Sequence, residues 1–199
     1  AEDEISALNM VLGATYAGAR AMTSTSGGGF ALMVEAMGLA GIIETPAVIA
    51  NVQRPGPATG LPTRTAQADL QFVIRSAQDE FPRMVIAVRD VEDAFYQTAR
   101  AFNLADKYQI PVVILSDQYL ADAGVTVNAF DFDKVKIERY LATEEEIGEE
   151  PYKRYKITES GISPRIIPGK IPGQVFLADS DEHDETGHII EDSESRIQM

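Results

Sequence analysis

The fold of this chain is decided by residues 20–66, which read RAMTSTSGGGFALMVEAMGLAGIIETPAVIANVQRPGPATGLPTRTA. A hydroxyl-rich strand is predicted over 21–25, and three glycines join it to an apolar helix predicted over 28–39. A second apolar strand is predicted over 47–52, and it runs directly into the sequence QRPGP. Ligands in open α/β sheets bind outside the carboxyl ends of the strands. We therefore expect the function of the chain to lie where these two strands end.

Strands and helices continue to alternate outside this segment. Further helices are predicted over 3–19, 67–78 and 91–107, and further strands over 83–88 and 111–115. Asp90 is the expected N-cap of the last helix. The last strand reads PVVIL, a continuous apolar run typical of parallel sheets. This alternation predicts an α/β fold with a doubly wound parallel sheet.

The chain changes character after Gly124. Residues 125–199 are rich in Pro, Gly, Tyr and charge and show little periodicity, although apolar pairs such as Ile166-Ile167 indicate order. We predict an α/β domain over 1–124 and, over 125–199, an extended arm that packs on a partner surface. Because its end is acidic, we interpret the arm as a linker toward a further domain.

Composition excludes several classes of function. The formal charge of −14 argues against nucleic-acid binding, which needs clustered Lys and Arg. The sequence contains no cysteine, so disulfides and thiolate-bound Fe–S or zinc sites are excluded from these 199 residues. No stretch approaches the ~18 consecutive apolar residues that a spanning helix needs. We expect a cytoplasmic protein that binds neither nucleic acid nor a membrane.

The run Thr25-Ser26-Gly27-Gly28-Gly29 joins the strand at 21–25 to the following helix. Glycines here let a ligand approach the backbone and the helix N-terminus, and close packing of strand on helix is the alternative explanation. The run is not a GxGxxG fingerprint, and no acidic residue ends the next strand as a ribose partner. It is not a Walker A loop either, because no Gly-Lys-Ser/Thr follows. A lone dinucleotide-binding domain is therefore disfavoured.

Arg54 is a candidate anion-binding residue. It follows a buried strand and precedes Pro-Gly-Pro, which restricts the loop and lowers the entropy cost of holding the guanidinium in place. A fixed guanidinium fork suits a carboxylate, and a structural ion pair is the alternative. Arg64 lies in the same loop and is the weaker candidate.

Glu4 is a candidate acid–base residue because it shares a helix face with Leu8 and Val11 and is expected to be partly buried. A carboxyl in such a position can share a proton with a ligand nitrogen, and an ordinary first-turn acid favoured by the helix dipole is the alternative. His183 and His188 lie in the acidic tail without a defined set of further ligands, so we predict no metal site.

The segment from Glu2 to Leu70 resembles the α subunit of 2-oxoacid:ferredoxin oxidoreductases, the group that acts on 2-oxoglutarate and related 2-oxoacids. The resemblance rests on the stretches EDEISALNMVLGATYAGARAMTSTSGGGFALM, ETPAVI and QRPGPATGLPTRTAQADL. It continues through EFPRMVIA, FNLADKYQIPVVILSD, YKRYKITESGISPRIIPG and VFLADSDEHDE. The resemblance therefore covers essentially the whole chain.

The resemblance implies a thiamine-diphosphate enzyme with this region as its pyrimidine-binding domain. Glu4 matches the family's cofactor-activating glutamate, which hydrogen-bonds the pyrimidine ring nitrogen, and Arg54 matches the arginine that holds the substrate's 1-carboxylate. Positions near the pyrimidine are matched by Thr25, Ser26, Gly27, Gly28 and Gly29.

The resemblance also implies partners. In this family the β subunit holds the diphosphate, its Mg2+ and an Fe–S cluster. The 2-oxoacid is oxidatively decarboxylated, its electrons pass to ferredoxin, and coenzyme A takes the acyl group.

Three parts of the family pattern are missing: a YPITP-type loop, a first strand upstream of Glu4, and a C-terminal transketolase-like domain. We therefore expect a fragment, or one part of a cut subunit, whose sheet exposes an edge. A non-catalytic structural or docking subunit of such a complex is the competing hypothesis. It predicts that substitution of Glu4 or Arg54 leaves turnover unchanged.

Overall fold

The computed structural model describes residues 1–198, and its α/β part consists of four helices and four strands in alternation. These are α1 (Glu4–Tyr16), β1 (Met22–Thr25), α2 (Gly27–Ile42), β2 (Ala47–Gln53), α3 (Leu70–Ile74), β3 (Met84–Ala87), α4 (Val91–Tyr108) and β4 (Pro111–Asp117). Short helical segments follow at α5 (Gln118–Ala121), at a 3₁₀ turn (Phe132–Lys134), at α6 (Glu144–Ile147) and at α7 (Ser193–Gln198).

All four strands are parallel and lie in the order β1-β2-β4-β3. The crossovers from β1 to β2 and from β3 to β4 run in opposite directions across the sheet, so right-handed connections put α2 and α4 on opposite faces. One core cluster joins α1 and α2 to Ile49 and Val113. The other joins α4 to Val48 and Val112. The predicted doubly wound parallel sheet is confirmed.

Side-chain caps fix the starts of α1 and α4. Asp3 accepts a hydrogen bond from the backbone N–H of Ser6 at 2.7 Å and is the N-cap of α1, which begins at Glu4. Asp90 accepts from the N–H of Asp93 at 2.8 Å, so its predicted role as an N-cap is confirmed.

The predicted helix over 67–78 is wrong in extent, because only Leu70–Ile74 is helical. Val73 is the buried residue of this short helix. Beyond it, Ala77 and Asp79 adopt left-handed φ angles of 69° and 59°, which an α-helix of L-residues does not accommodate. The apolar periodicity of residues 67–78 therefore corresponds to little more than one helical turn, where the sequence predicted about three.

Residues 125–198 pack on the α/β part of the same chain, where the sequence predicted a partner surface. Asp106 on α4 is their main electrostatic anchor and is almost fully buried. Its carboxylate forms ion pairs with Arg20 at 2.8 Å, with Arg139 at 3.3 Å and with Arg165 at 2.7 Å. Two of these three arginines, Arg139 and Arg165, belong to the arm. The Asp106 carboxylate therefore anchors the arm on α4.

The arm also covers the carboxyl end of α2, whose last turn has no basic residue of its own. The buried Arg154 donates to the carbonyl of Glu44 at 2.7 Å and faces that of Ile43 at 3.4 Å. His183 lies with Nε2 at 3.0 Å from the carbonyl of Ile42. A cation at this position compensates the negative end of the helix dipole and satisfies its last carbonyl groups.

Asp106→Asn should destabilise the protein, because three guanidinium groups would lose their shared carboxylate. Breaking a buried ion pair by removing one partner costs about 3–5 kcal/mol. We expect a matching decrease in the free energy of unfolding in urea and faster hydrogen exchange over residues 134–166. Asp131→Asn is the control, because its ion pair with Lys134 is solvent-exposed. Equal effects of the two substitutions would contradict the anchoring role of Asp106.

Candidate functional site

The candidate site lies at the carboxyl edge of the sheet, where β1, β2 and β4 end in Thr25, Gln53 and Asp117. The β1 end leads through Ser26 into the three glycines that begin α2. The β2 end leads into the loop that carries Arg54. Because β1 and β2 are adjacent parallel strands, these two loops lie side by side. This is the edge at which open α/β sheets bind ligands.

The glycine turn forms a cradle on which several side chains converge. A Cβ on Gly29 would clash with Thr25 Oγ1 and would lie 2.6 Å from Glu4 Oε1. A Cβ on Gly28 would lie 3.8 Å from Arg54 Nη2. Glu4 and Arg54 are far apart in the sequence. In the structure they lie beside Gly29 and Gly28, which are consecutive residues of one helical turn.

The first turn of α2 keeps donor groups for a ligand. Ser26 occupies the N-cap position in extended conformation, but its side chain makes no capping hydrogen bond. The first N–H groups of a helix have no partner inside the helix, and the helix dipole favours negative charge beside them. A ligand that approaches the turn thus meets backbone donors together with the side chains of Asp69, Thr25 and Glu4.

Glu4 stands in the first turn of α1 and is half-buried. On the same face, Leu8 and Val11 are buried against α2. The carboxyl group therefore points along an apolar helix pair toward Gly29, where the Thr25 hydroxyl also lies. This arrangement can hold or transfer a proton at a nitrogen atom of a ligand seated on the glycines.

Arg54 is held at the site without a carboxylate partner. Its Nε is buried and has no hydrogen-bond partner among residues 1–198. In the same part of the chain it takes part in no ion pair, so the structural alternative considered for this residue is not observed. Arg54 is half-buried overall, and a guanidinium that is free of carboxylate partners is well suited to an incoming carboxylate.

The loop after Arg54 has a tight internal turn. The N–H of Leu61 donates to the carbonyl of Pro55 at 3.1 Å. Gly60, with φ of 54°, has no room for a side chain, because a Cβ there would clash with that carbonyl. Arg64 is exposed and, unlike Arg54, is not among the nearest neighbours of the three glycines.

Three site residues were missed in the sequence: Asp69, Asn51 and Gln53. The Asp69 carboxylate lies against Gly27 and accepts a hydrogen bond from Asn51 Nδ2 at 3.2 Å. The backbone N–H of Asp69 donates to Gln53 Oε1 at 3.0 Å. A signal for them exists in the sequence, because Asn51 and Gln53 are polar residues at alternate positions of an otherwise apolar strand.

Asp117 fixes the neighbouring strand end. It caps α5 by accepting from the N–H of Leu120 at 2.9 Å, and it accepts from Gln67 Nε2 at 2.6 Å. The hydrogen bond from Leu120, followed by that from Gln67, holds the pKa of the Asp117 carboxyl below its usual range. The charged form of Asp117 thereby anchors the far part of the Arg54 loop to β4.

The two histidines lie away from this edge. His183 is buried, with its ring stacked on Tyr155 at 3.7 Å between centroids. His188 is exposed. Within residues 1–198 no group of three acidic, histidine or cysteine side chains is arranged to hold a metal ion. Of the helices described, none is both long and apolar enough to cross a bilayer.

A family model described as "Pyruvate flavodoxin/ferredoxin oxidoreductase, thiamine diP-bdg" matches residues 1–199. The chain belongs to this thiamine-diphosphate-binding family. The resemblance seen in the sequence is thereby confirmed.

Curated relatives and a solved structure agree with the assignment. The 2-oxoacid:ferredoxin oxidoreductase 1 subunit alpha of Sulfurisphaera tokodaii is 48% identical over 201 residues, which cover 100% of this chain and 31% of the relative. The 2-oxoglutarate synthase subunit KorA of Archaeoglobus fulgidus is 47% identical over 117 residues, which cover 59% of this chain and 34% of the relative.

The solved structure is the 2-oxoglutarate:ferredoxin oxidoreductase from Magnetococcus marinus with 2-oxoglutarate, coenzyme A and succinyl-CoA bound. It superposes with a TM-score of 0.93 at 42% identity and covers 99% of this chain and 34% of that chain. The present chain thus spans about a third of the length of the relatives that it matches.

Proposed function

We propose that this chain supplies one half of a thiamine-diphosphate site in a 2-oxoacid:ferredoxin oxidoreductase. The proposed enzyme oxidatively decarboxylates 2-oxoglutarate or a related 2-oxoacid and transfers the acyl group to coenzyme A. The observation that carries the proposal is the convergence of Glu4, Thr25 and Arg54 on the glycine turn of α2. The names of the relatives and the ligands of the solved structure support the same substrate class.

The residues of the cradle fit the aminopyrimidine of thiamine diphosphate. A planar heterocycle needs close approach to the backbone and hydrogen-bonding groups at its rim, and glycines let the side chains of Asp69, Thr25 and Glu4 lie directly against the turn. The Glu4 carboxyl and the Thr25 hydroxyl lie at that rim. When bound, the cofactor supplies a carbon nucleophile for the 2-oxo group and accepts the electron pair released with CO2.

Each candidate site residue of this chain has a separate role in the proposed reaction. Glu4 holds a proton at a ring nitrogen of the pyrimidine, and the apolar α1–α2 surface keeps water from that proton. Thr25, Ser26 and the three glycines bind the pyrimidine. Arg54 binds and orients the 1-carboxylate of the 2-oxoacid, since its guanidinium is free of ion pairs within residues 1–198.

The other half of the site belongs, in this proposal, to a β subunit that holds the diphosphate, Mg2+ and an Fe–S cluster and passes electrons to ferredoxin. The absence of cysteine from these 199 residues supports an Fe–S cluster held elsewhere. The division of the chain at residue 124 and the cytoplasmic location remain predictions.

The proposal is tested by 2-oxoacid- and coenzyme-A-dependent reduction of a viologen dye. The sample is the complete α subunit co-expressed with its β subunit, with and without thiamine diphosphate, over a panel of pyruvate, 2-oxobutyrate and 2-oxoglutarate. We expect reduction that requires the cofactor, and the preferred 2-oxoacid identifies the substrate. Dye reduction that is independent of 2-oxoacid or of thiamine diphosphate would refute the proposal.

Gly29→Ala should impair cofactor binding in the same complex. Alanine is the better helix former, by roughly 1 kcal/mol, but its Cβ would clash with Thr25 Oγ1 and displace Glu4. We expect a strong rise in the thiamine diphosphate concentration that gives half-maximal activity. Gly13→Ala in α1 is the control, because no atom lies within 4 Å of its added Cβ. Wild-type cofactor affinity in Gly29→Ala would show that the cradle does not contact the cofactor.

A further inference from the structure

Gln53 is a buried amide at the end of β2, and both ends of its side chain are used. Nε2 donates to the carbonyl of Ser116 on β4 at 3.1 Å, and Oε1 accepts from the backbone N–H of Asp69 at 3.0 Å. Burying an amide is costly unless it is hydrogen-bonded, so these two bonds hold the side chain in one place. Gln53 therefore joins three chain segments at the carboxyl edge of the sheet.

These contacts close the loop formed by residues 54–68 at both of its ends. The loop begins at the residue after Gln53, and the residue that follows the loop is bonded to the Gln53 side chain. The two loop ends are thus fixed by one residue, which removes the conformational freedom that an open loop of this length retains. A second bond, from Asn51 Nδ2 to Asp69 Oδ2, reinforces the closure.

The closure matters for Arg54 because little else in the described chain holds its guanidinium. Arg54 Nε has no hydrogen-bond partner in residues 1–198, and the ion pairs of these residues do not include Arg54. The direction of this side chain is then set mainly by its backbone, which belongs to the loop that Gln53 closes. Arg54 Nη2 lies 3.8 Å from the position that a Cβ on Gly28 would occupy.

We propose that Gln53 is a positioning residue for substrate binding: by clamping both ends of the 54–68 loop, it presents the Arg54 guanidinium to the 1-carboxylate of the 2-oxoacid. This inference rests on the proposed function. It assigns a role in 2-oxoacid affinity to a side chain that touches neither the substrate nor the cofactor. The expected signature is a change in the Michaelis constant for the 2-oxoacid alone.

The test compares Gln53→Leu with wild type in the complete α–β complex. Leucine has a similar volume and lacks both hydrogen bonds. A misplacement of about 1 Å can cost a large factor, and we expect a roughly tenfold rise in the 2-oxoglutarate Michaelis constant. The turnover number and the Michaelis constant for coenzyme A should stay close to wild type. Gln53→Glu keeps an oxygen for the Asp69 N–H and should show a smaller rise.

Gln174→Leu is the matched control. Its amide also bridges backbone groups with both ends, accepting from the N–H of Tyr152 at 3.0 Å and donating to the carbonyl of Glu150 at 3.1 Å, but it lies in the arm. A purely structural role of Gln53 predicts a loss of thermal stability in both leucine variants and no selective effect on 2-oxoglutarate. That result would overturn the proposal.

Two further variants, Gln53→Glu and Arg54→Ala, keep this inference testable and separate it from the proposed function. If Gln53→Leu does not assemble, Gln53→Glu decides the matter, and an unchanged 2-oxoglutarate Michaelis constant in that variant overturns the positioning role. If Arg54→Ala raises the constant while both assembled Gln53 variants leave it unchanged, only the positioning role fails. If Arg54→Ala also leaves the constant unchanged, the substrate role of Arg54 fails, and the positioning role fails with it.

Discussion

Arg54→Ala should lower kcat/KM for the 2-oxoacid by roughly 30- to 700-fold, mainly through the Michaelis constant. Truncating one partner of a desolvated charge pair costs about 2–4 kcal/mol, and each 1.4 kcal/mol is about a tenfold change. Because Arg54 forms no ion pair within residues 1–198, its removal leaves no orphaned carboxylate there. The loss should therefore affect substrate binding and leave assembly intact, as steady-state kinetics and size-exclusion chromatography would measure.

Two control variants, Arg54→Lys and Arg64→Ala, test whether the effect is specific to the Arg54 guanidinium. Arg54→Lys keeps the charge but loses the planar fork that binds a carboxylate through two hydrogen bonds, so an intermediate effect is expected. Arg64→Ala removes an exposed cation of the same loop and should behave like wild type. If Arg54→Ala and Arg64→Ala gave the same kinetics as wild type, the docking-subunit hypothesis would be the better one.

Glu4→Gln should reduce turnover by about 10²- to 10⁴-fold, the contribution typical of a positioned acid–base group. Glutamine keeps the size of the side chain and its position beside Gly29, but it cannot hold or release a proton at a ligand nitrogen. The viologen assay at saturating thiamine diphosphate measures this loss, and thermal unfolding of the complex should be unaffected.

Glu2→Gln is the matched control, because this exposed glutamate precedes the helix and lies outside the cradle. Full activity in Glu4→Gln would remove the acid–base assignment from this chain. A loss of assembly together with activity would instead identify Glu4 as a structural residue of the α1–α2 pair.

Local signals in the sequence were sufficient for the sheet. The strand ends predicted at Thr25 and Val52, the glycine turn between them and the cap at Asp90 depend on short-range patterns, and the structure agrees with them to within one residue. The helix over 67–78 failed because its extent depends on left-handed residues beyond Ile74, which apolar periodicity does not record.

Contacts between distant residues were the part that the sequence could not supply. The convergence of Glu4 with Gly29 needs the packing of α1 on α2, and the bond between Gln53 and Asp69 needs a loop whose path is not periodic. The placement of the arm depends in the same way on Asp106, which the sequence presents only as one acid among many in an acidic chain.

Helix α2 connects the arm to the glycine turn of the candidate site. Its 16 residues form a helix about 24 Å long. The three glycines lie at its N-terminal end, and Arg154 of the arm contacts its C-terminal end. Because a helix is stiff along its axis, a displacement at the Arg154 end of α2 would also move the glycine turn at its other end.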